Sequence, residues 1–353
     1  MLRFALVGCG RIAKRHSELL GFDQIEGAAL AAVCDIDIGK AEVIGKRFSV
    51  PFFVDMHEMM RSVDIDVAVV LTESGNHARD VVALSQHSKH IVVEKPMALT
   101  LDDADEMIAA CDRAGIKLFV VKQNRFNVPV VKLRDALERG RFGKLILGTV
   151  RVRWCRDQSY YDQASWRGTW AMDGGVLTNQ ASHHVDMLEW MFGEVESVFA
   201  RSITALANIE AEDTAVVTLK FCNGALGVIE ATTAVRPKDL EGSISVLGEK
   251  GTVEIGGFAV NEMKIWNFVE PEEGDDEVLK QYSVNPPNVY GFGHQAYYEH
   301  VVDCINNNTR HLVDGLQGRK SLELINAIYE SIETGREVQL RFQPKHCRLG
   351  GSD

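Results

Sequence analysis

Short apolar runs alternate with amphipathic segments along the first third of the chain. Leu2 to Val7 is almost wholly apolar, which is typical of a strand buried on both faces. Strands that alternate with helices at this spacing predict a doubly wound parallel α/β sheet. The further predicted strands lie within 27–35, 63–72, 90–96 and 117–124, and the predicted helices are 39–48, 78–88 and 101–114.

Beyond Lys122 the pattern changes to neighbouring strands. The hairpin signal Asn223-Gly224 joins two alternating runs, and 243–255 reads as a second hairpin. Such a series predicts an α+β domain with an open, mostly antiparallel sheet. We therefore expect a dinucleotide-binding domain over 1–123 and a second domain over 124–345. The latter includes a helix at 128–139, a strand at 145–154, and a tail helix with a short strand over 315–340 that packs back across both domains.

Composition excludes several classes of protein. A chain of 353 residues with 46% hydrophobic residues can fill two cores, and its net charge of −12 would repel nucleic acid and anionic membranes. The seven scattered cysteines include no CxxC pair, so we expect neither disulfides nor a zinc site and place the protein in a reducing cytoplasm. No apolar run reaches the roughly 18 residues of a membrane span.

The first strand runs into the sequence Gly8-Cys9-Gly10-Arg11-Ile12-Ala13. Gly8 permits a tight turn, Gly10 leaves room for a pyrophosphate, and the helix start offers N–H groups to the phosphates. Asp35 ends the second strand, where a carboxylate accepts hydrogen bonds from a ribose diol. Because no arginine follows it directly, NAD is expected rather than NADP. The alternative is a glycine turn that only joins strand to helix.

Two more segments reach the same sheet edge. The loop 72–77 and the sequence Glu94-Lys95-Pro96 each follow a buried strand, and ligands of doubly wound sheets bind at the carboxyl ends of strands. We therefore expect both to border the cofactor. A lysine at a strand end is otherwise usually a solvated charge.

The stretch 166–193 carries the candidate acid–base chemistry. Gly174-Gly175 precede a predicted helix on which Asn179, His183 and Asp186 share one face, toward a cleft. Histidine is the side chain best suited to take a proton near neutral pH. A solvated polar stripe is the alternative. His183 and His184 point in different directions, so we expect no metal.

These motifs together resemble those of the Gfo/Idh/MocA family of sugar and polyol dehydrogenases, from residue 2 to about 340. The resemblance implies a Rossmann domain, an open-faced second domain that forms dimers or tetramers, and a catalytic pair of Lys95 and His183. Asn179 departs from the aspartate of many members, so we expect it to orient the substrate by neutral hydrogen bonds. The implied cofactor-binding residues are Gly8, Gly10, Arg11, Ile12, Asp35, Thr72, Ser74, His77, Glu94, Lys95, Gln123, Trp166 and Arg167.

A narrower resemblance, over 152–190 and 290–300, is to the WlbA/WbpB group of that family. This group oxidises the 3″-hydroxyl of UDP-N-acetylglucosaminuronate during the synthesis of surface polysaccharide such as lipopolysaccharide O-antigen. Arg151, Arg153, Arg156 and Arg167 would suit a uronate and a diphosphate, or else they balance surface acids. The implied substrate-binding residues are Lys95, Arg153, Arg156, Tyr160, Asn179 and His183.

Two other functions stay open at this point. One is an NAD-dependent dehydrogenase of a free sugar or polyol such as myo-inositol, with structural arginines. The other is a regulator that senses NAD without turnover, which the presence of both Lys95 and His183 disfavours.

Overall fold

The first domain is built on a six-stranded parallel sheet. The structure, a computed structural model, describes residues 1–283 and 292–340. The strand order is β3-β2-β1-β4-β5-β6, with all pairs parallel, so the predicted doubly wound sheet is confirmed. Its strands are β1 Leu2–Val7, β2 Ala28–Cys34, β3 Phe52–Phe53, β4 Val67–Val70, β5 His90–Val93 and β6 Leu118–Val120.

Helices cover both faces of this sheet. They are α1 Ala13–Gly21, α2 Ile38–Phe48, α3 Met56–Ser62, α4 His77–Ser85 and α5 Leu101–Arg113. Apolar side chains of both sheet faces are fully buried, as the continuous apolar runs predicted. Neither β3 nor α3 was predicted. A strand of two residues, Phe52–Phe53, is too short to give a period, and α3 is only seven residues long.

The second domain is a mixed sheet in the order β13-β12-β11-β7-β10-β9-β8-β14. β7 and β10 run parallel and the other neighbours are antiparallel, which confirms a mostly antiparallel sheet. Both predicted hairpins are present, as β9–β10 and β11–β12. The strands are β7 Leu145–Arg153, β8 Val195–Ile203, β9 Thr214–Phe221, β10 Leu226–Thr232, β11 Glu241–Gly248, β12 Gly251–Gly256, β13 Glu262–Phe268 and β14 Val338–Gln339.

One face of this sheet is covered and the other is open. Along β9, Ala215, Val217 and Leu219 are buried, whereas Val216 and Lys220 are exposed. The helices of this half are α6 Val128–Glu138, α7 Gln158–Tyr161, α8 Ser182–Phe192, α9 Val278–Gln281, α10 Gly293–Asn306 and α11 Gly315–Thr334.

The last two helices join the two halves. Tyr297 and Tyr298 of α10 are fully buried in the first domain, where Tyr298 packs edge-on against Phe4. α11 lies against α5 and β6 on one side and against β8 and α8 on the other. The boundary at 123/124 stays a prediction, and the expected end at 345 lies outside the described residues.

The helix predicted after Gly175 is interrupted, which corrects the expectation of one continuous amphipathic helix. Val176–Gln180 form a π-helical turn, closed by a hydrogen bond from Ala181 N to the Val176 oxygen, and α8 begins at Ser182. A π turn changes the angular spacing of side chains. Asn179 therefore lies on the π turn and His183 and Asp186 on α8, rather than all three on one regular helix.

Candidate active site

A cavity of about 720 Å³ lies at the carboxyl ends of the parallel strands, against the second domain. It contains every residue that the sequence indicated for cofactor binding. Five of the six expected substrate-binding residues also line it, namely Lys95, Arg156, Tyr160, Asn179 and His183. The cofactor set is Gly8, Gly10, Arg11, Ile12, Asp35, Thr72, Ser74, His77, Glu94, Lys95, Gln123, Trp166 and Arg167.

The glycine turn has the shape that a dinucleotide requires. Gly8 has φ +99°, and a Cβ there would lie 2.7 Å from the carbonyl carbon of Leu71. A Cβ on Gly10 would meet no protein atom within 4 Å, so the space above Gly10 is open for a pyrophosphate. Asp35 Oδ2 accepts a hydrogen bond from Cys9 N at 2.7 Å, which fixes the carboxylate beside the turn. These residues fit NAD.

His77 braces the two loops that follow β4 and β5. Its Nδ1 lies 2.8 Å from the Pro96 carbonyl oxygen, and its Nε2 lies 3.0 Å from the Thr72 carbonyl oxygen. Because His77 is buried and bridges two main-chain groups, it holds the cavity wall in place rather than presenting a free imidazole.

Glu94 is a buried carboxylate beside the cavity. His16 Nε2 lies 3.0 Å from its Oε1, and the Lys95 main-chain N donates to its Oε2 at 2.9 Å. Burial alone would raise the pKa of Glu94, but hydrogen bonds from His16 and His294 hold it well below its ordinary value. Polar atoms of His16, Glu94 and His294 lie within 4.8 Å of one another. His16 and Glu94 are in direct hydrogen-bond contact, at 3.0 Å. That the protein binds no metal stays a prediction.

Lys95 reaches from the end of β5 to the π turn of the second domain. Its Nζ donates to the Asn179 main-chain oxygen at 2.7 Å. Burial lowers the pKa of Lys95, although Glu94 and Asp173 oppose that effect. The ammonium therefore has one hydrogen bond fixed by the protein and further N–H groups available to a ligand.

The Asn179 side chain is engaged within its own segment. Its Nδ2 donates to Asp173 Oδ1, and its Oδ1 accepts from Gln180 Nε2 at 3.0 Å. Asp173 is buried, also accepts from Gly168 N at 2.8 Å, and burial raises its pKa. The sequence offered Asn179 as the residue that replaces an aspartate partner of His183, but it did not single out Asp173.

His183 lies at the start of α8 and is buried at the cavity wall. Its Nε2 is 3.0 Å from Gln123 Nε2, at the end of the first domain. Burial lowers the pKa of His183 well below its ordinary value, and the charges of Lys95 and Lys122 lower it further. The imidazole is therefore neutral near pH 7 and able to accept a proton.

Asp186, one turn along α8, serves a different contact from the one expected. Its carboxylate makes two hydrogen bonds with Arg125, at 2.8 and 2.9 Å, and both residues are buried. Asp186 does not line the cavity. Its role is to tie α8 to the segment that follows β6.

Arginine side chains lie against aromatic rings in the cavity wall. The Arg167 guanidinium lies 4.5 Å from the Tyr160 ring centre and 4.7 Å from that of Trp166, and its Nη1 donates to the Tyr160 hydroxyl at 2.7 Å. Arg11 and Arg156 lie over the same Tyr160 ring, at 5.8 and 5.5 Å. Such an arrangement can hold an anionic, planar ligand.

The remaining arginines of the expected patch lie elsewhere. Arg153 makes two short hydrogen bonds with Glu230, at 2.6 and 2.7 Å, and Arg151 pairs with Glu241 at 3.1 Å. Both are on the open face of the sheet and outside the cavity. Their placement agrees with the alternative that these arginines balance acids, and it removes the basis for a substrate contact by Arg153.

Several cavity residues escaped the sequence reasoning. Trp154, Gln163, Gln180 and His294 lie within the stretches 152–190 and 290–300 that carry the narrower resemblance, but they were not singled out there. Asp80 could have been suggested because it follows the loop 72–77 by one helical turn; it accepts from Thr72 Oγ1 at 2.8 Å. These residues include Ile36, Lys40, His57, Arg79, Asp80, Trp154, Gln163, Gln180 and His294.

Comparison with known proteins agrees with this geometry. Residues 2–122 match the family model described as an oxidoreductase family with an NAD-binding Rossmann fold, and residues 134–340 match the C-terminal alpha/beta domain of the same family. The fold and the site thus define a two-domain, NAD-dependent oxidoreductase. The chain belongs to the Gfo/Idh/MocA family, which confirms the predicted family, fold class and cofactor.

Two solved structures are similar over nearly the whole chain. The WlbA dehydrogenase of Bordetella pertussis, in complex with NADH and UDP-GlcNAcA, is 42% identical with a TM-score of 0.92, and the match covers 97% of this chain and 98% of that one. The WlbA dehydrogenase of Chromobacterium violaceum, with the same two ligands, is 44% identical with a TM-score of 0.91 and 97% coverage of both chains.

A curated relative has a smaller substrate in its name. Myo-inositol 2-dehydrogenase of Thermotoga maritima is 30% identical, and the match covers 96% of this chain and 98% of that protein.

Within residues 1–283 and 292–340, we find no helix with the length and apolar character that a membrane span requires.

Proposed function

We propose that this protein oxidises the 3″-hydroxyl of UDP-N-acetylglucosaminuronate to the 3-keto sugar nucleotide, with NAD as the hydride acceptor. The observation that carries the proposal is the cavity itself, which is lined by the dinucleotide turn, by Lys95 and His183, and by Arg156 and Arg167 around the Tyr160 ring. Identity of 42–44% to two dehydrogenases crystallised with UDP-GlcNAcA supports the same substrate.

Lys95 and His183 would divide the work on the sugar alcohol. Lys95, with one N–H fixed on the Asn179 oxygen, donates another to the hydroxyl oxygen and steadies it as it gains carbonyl character. His183, neutral because of its burial and the nearby cations, takes the hydroxyl proton. NAD, held by the Gly8–Ala13 turn and Asp35, would supply the acceptor for the hydride that leaves carbon 3. A positioned base of this kind typically contributes about 10²- to 10⁴-fold.

The arginines around Tyr160 would recognise the anionic part of the substrate. Arg167 forms no ion pair among the described residues, whereas Arg156 Nη1 pairs with Asp239 at 2.9 Å. The chain has a net charge of −12, so a guanidinium without an ion-pair partner, placed beside an aromatic ring, is well suited to bind an anionic ligand. A carboxylate or diphosphate would satisfy it.

Our proposal extends to the setting of the reaction. We place the enzyme in the bacterial cytoplasm, in the synthesis of surface polysaccharide such as lipopolysaccharide O-antigen, and as a homotetramer or dimer. The open sheet face supports association because it exposes Val216 by 51% and Leu226 by 56%. Light scattering of the purified protein measures the oligomeric state.

A free polyol is the second candidate, because the inositol dehydrogenase relative is 30% identical over nearly the full length. Measuring NAD reduction with UDP-N-acetylglucosaminuronate and with myo-inositol separates the two. We expect kcat/KM for the sugar nucleotide to exceed that for inositol by at least about 100-fold, which corresponds to about 2.7 kcal/mol. Equal rates, or a preference for inositol, would overturn the proposal.

The catalytic pair is tested with Lys95→Met and His183→Ala at saturating NAD. Each variant should lose about 10²- to 10⁴-fold in kcat, since each removes a group that acts on the reacting oxygen. Lys46→Met, an exposed lysine paired only with Glu42 on the same helix, is the control for removal of an ammonium group. NAD binding without NADH formation from any sugar nucleotide would instead favour a sensing protein.

A further inference from the structure

Among residues 1–283 and 292–340, the one side chain that hydrogen-bonds to the His183 ring comes from the other domain. Gln123 begins the 3₁₀ turn Gln123–Phe126 that follows β6, and its Nε2 lies 3.0 Å from His183 Nε2. Both side chains are buried, at 4% and 7% exposure. A contact between two buried polar groups at the cavity wall fixes the plane of the imidazole ring.

The turn that carries Gln123 is anchored to the helix that carries His183. Arg125, two residues along, makes its paired hydrogen bonds with Asp186 on α8. Lys122, one residue before, lies with its Nζ 3.6 Å from Asp186 Oδ1 and donates to Ser321 Oγ on α11 at 2.8 Å. Because the residues on both sides of Gln123 are held to the second domain, its amide cannot move far from the ring.

We propose that Gln123 is the positioning residue of the base: it orients the His183 ring and, being an amide rather than a carboxylate, leaves that ring uncharged before turnover. This inference rests on the proposed function, in which His183 accepts the hydroxyl proton. Asn179 does not fill this role, since its side chain is engaged with Asp173 and Gln180.

The chemistry follows from what an amide can offer. Both orientations of the amide pair with a neutral imidazole, but only one serves a base. When the amide oxygen accepts the Nε2–H, the other ring nitrogen keeps its lone pair for the substrate proton. Neither orientation compensates a positive ring as a carboxylate does. The charged groups facing His183 are Lys95 and Lys122, which oppose its protonation, and Glu94, which favours it, with His184 adjacent on α8.

Gln123→Glu tests the inference because it changes only the charge of the partner. A carboxylate on the ring should raise the pKa of His183 by about 1–3 units. Since a protonated base cannot accept a proton, the acid limb of kcat/KM should move to higher pH by the same amount. Titration of the imidazole by NMR with ¹³C-labelled histidine, assigned with His183→Ala, reports the same shift without turnover.

Two further variants complete the design. Asn124→Asp adds the same charge one residue along the turn, so it should leave the His183 titration and the acid limb near their wild-type positions. Gln123→Met keeps the length of the side chain but removes its polar atoms. We expect kcat to fall about 10- to 100-fold because the His183 ring loses its orientation, while the acid limb of the kcat/KM profile stays at low pH. Gln123→Met covers the case in which Gln123→Glu does not fold.

An unchanged acid limb and an unchanged His183 titration in Gln123→Glu, or wild-type kcat in Gln123→Met, would overturn the role of Gln123. Failure of the proposed function looks different. In that case His183→Ala keeps its turnover, whereas Gln123→Glu still shifts the titration of the ring.

Discussion

The ammonium nitrogen of Lys95 lies 2.7 Å from the main-chain oxygen of Asn179 and donates a hydrogen bond to it. This contact joins the segment that follows β5 to the π turn that precedes His183. Two residues 88 positions apart in the chain, Lys95 and His183, thereby line the same cavity. The domain interface is consequently part of the candidate active site.

The glycine turn allows cofactor binding to be separated from folding. Gly10→Ala should leave the melting temperature near that of the wild type, because the added Cβ meets no protein atom within 4 Å. NAD affinity should fall at least about tenfold, since the methyl group enters the space expected for the pyrophosphate. Calorimetric titration with NAD and a thermal melt provide the two measurements.

Gly8→Ala is the matched comparison for that variant. Here φ is +99° and the Cβ would lie 2.7 Å from the Leu71 carbonyl carbon, so the loss should appear in stability. The left-handed backbone alone costs about 1–2 kcal/mol for a residue with a Cβ.

If Gly10→Ala binds NAD like the wild type, the pyrophosphate does not pass over this turn.

Asp35 should decide between NAD and NADP. Asp35→Ser removes a carboxylate that would accept hydrogen bonds from the ribose diol and repel a 2′-phosphate. Each hydrogen bond to a charged group is worth about 1.5–3 kcal/mol, so NAD affinity should drop about tenfold or more while the preference over NADP shrinks.

Asp37→Ser is the control for this change. Asp37 caps α2 by accepting from Gly39 N at 3.0 Å, and serine is an equally suitable cap. Binding constants for NAD and NADP in both variants report the outcome. Unaltered cofactor preference in Asp35→Ser would mean that another residue selects the cofactor.

Glu212 should make stability depend on pH. It is buried, accepts from Leu177 N at 2.9 Å and from the Tyr329 hydroxyl at 3.0 Å, and burial raises its pKa to about 7. The pKa of Glu212 in the folded protein exceeds the unfolded value of 4.5. The protonated carboxyl therefore contributes fully to the free energy of unfolding below about pH 4.5, and this contribution is lost as pH rises toward 7.

Glu212→Gln removes that ionisation and keeps one oxygen as acceptor. Relative to the wild type, its free energy of unfolding should therefore increase between pH 5 and pH 8, by at most about 3 kcal/mol. Urea unfolding at the two pH values measures the difference. Glu194→Gln, at an exposed position, should show no such change. A flat difference for Glu212→Gln would contradict the assignment.

The first sheet could be predicted because its strands are buried on both faces. Continuous apolar runs such as Leu2–Val7 and Val67–Val70 leave few alternatives, and Gly8, Gly10 and Asp35 have spacings that follow from how a dinucleotide is bound. The two-residue strand Phe52–Phe53 carries no period and was missed.

The second domain and its share of the site were predicted less completely. The period of 3.6 grouped Asn179, His183 and Asp186 on one face, but Asp186 pairs with Arg125 and does not line the cavity. The π turn at Val176–Gln180, which carries Asn179, was not predicted either. The alternation of apolar and polar residues around Arg153 predicted a strand. It could not show that the face carrying Arg153 is turned away from the cavity. Gln123 contacts His183, 60 residues away, and Asp173 contacts Asn179, 6 residues away, and no motif in the sequence links either pair.

The most direct test of the account is a crystal structure of the protein with NADH and UDP-N-acetylglucosaminuronate. We expect the oxygen on carbon 3 of the uronate within hydrogen-bond distance of both Lys95 Nζ and a ring nitrogen of His183, with the uronate carboxylate or the diphosphate at Arg167. A sugar nucleotide bound with that oxygen beyond reach of either side chain would contradict the account.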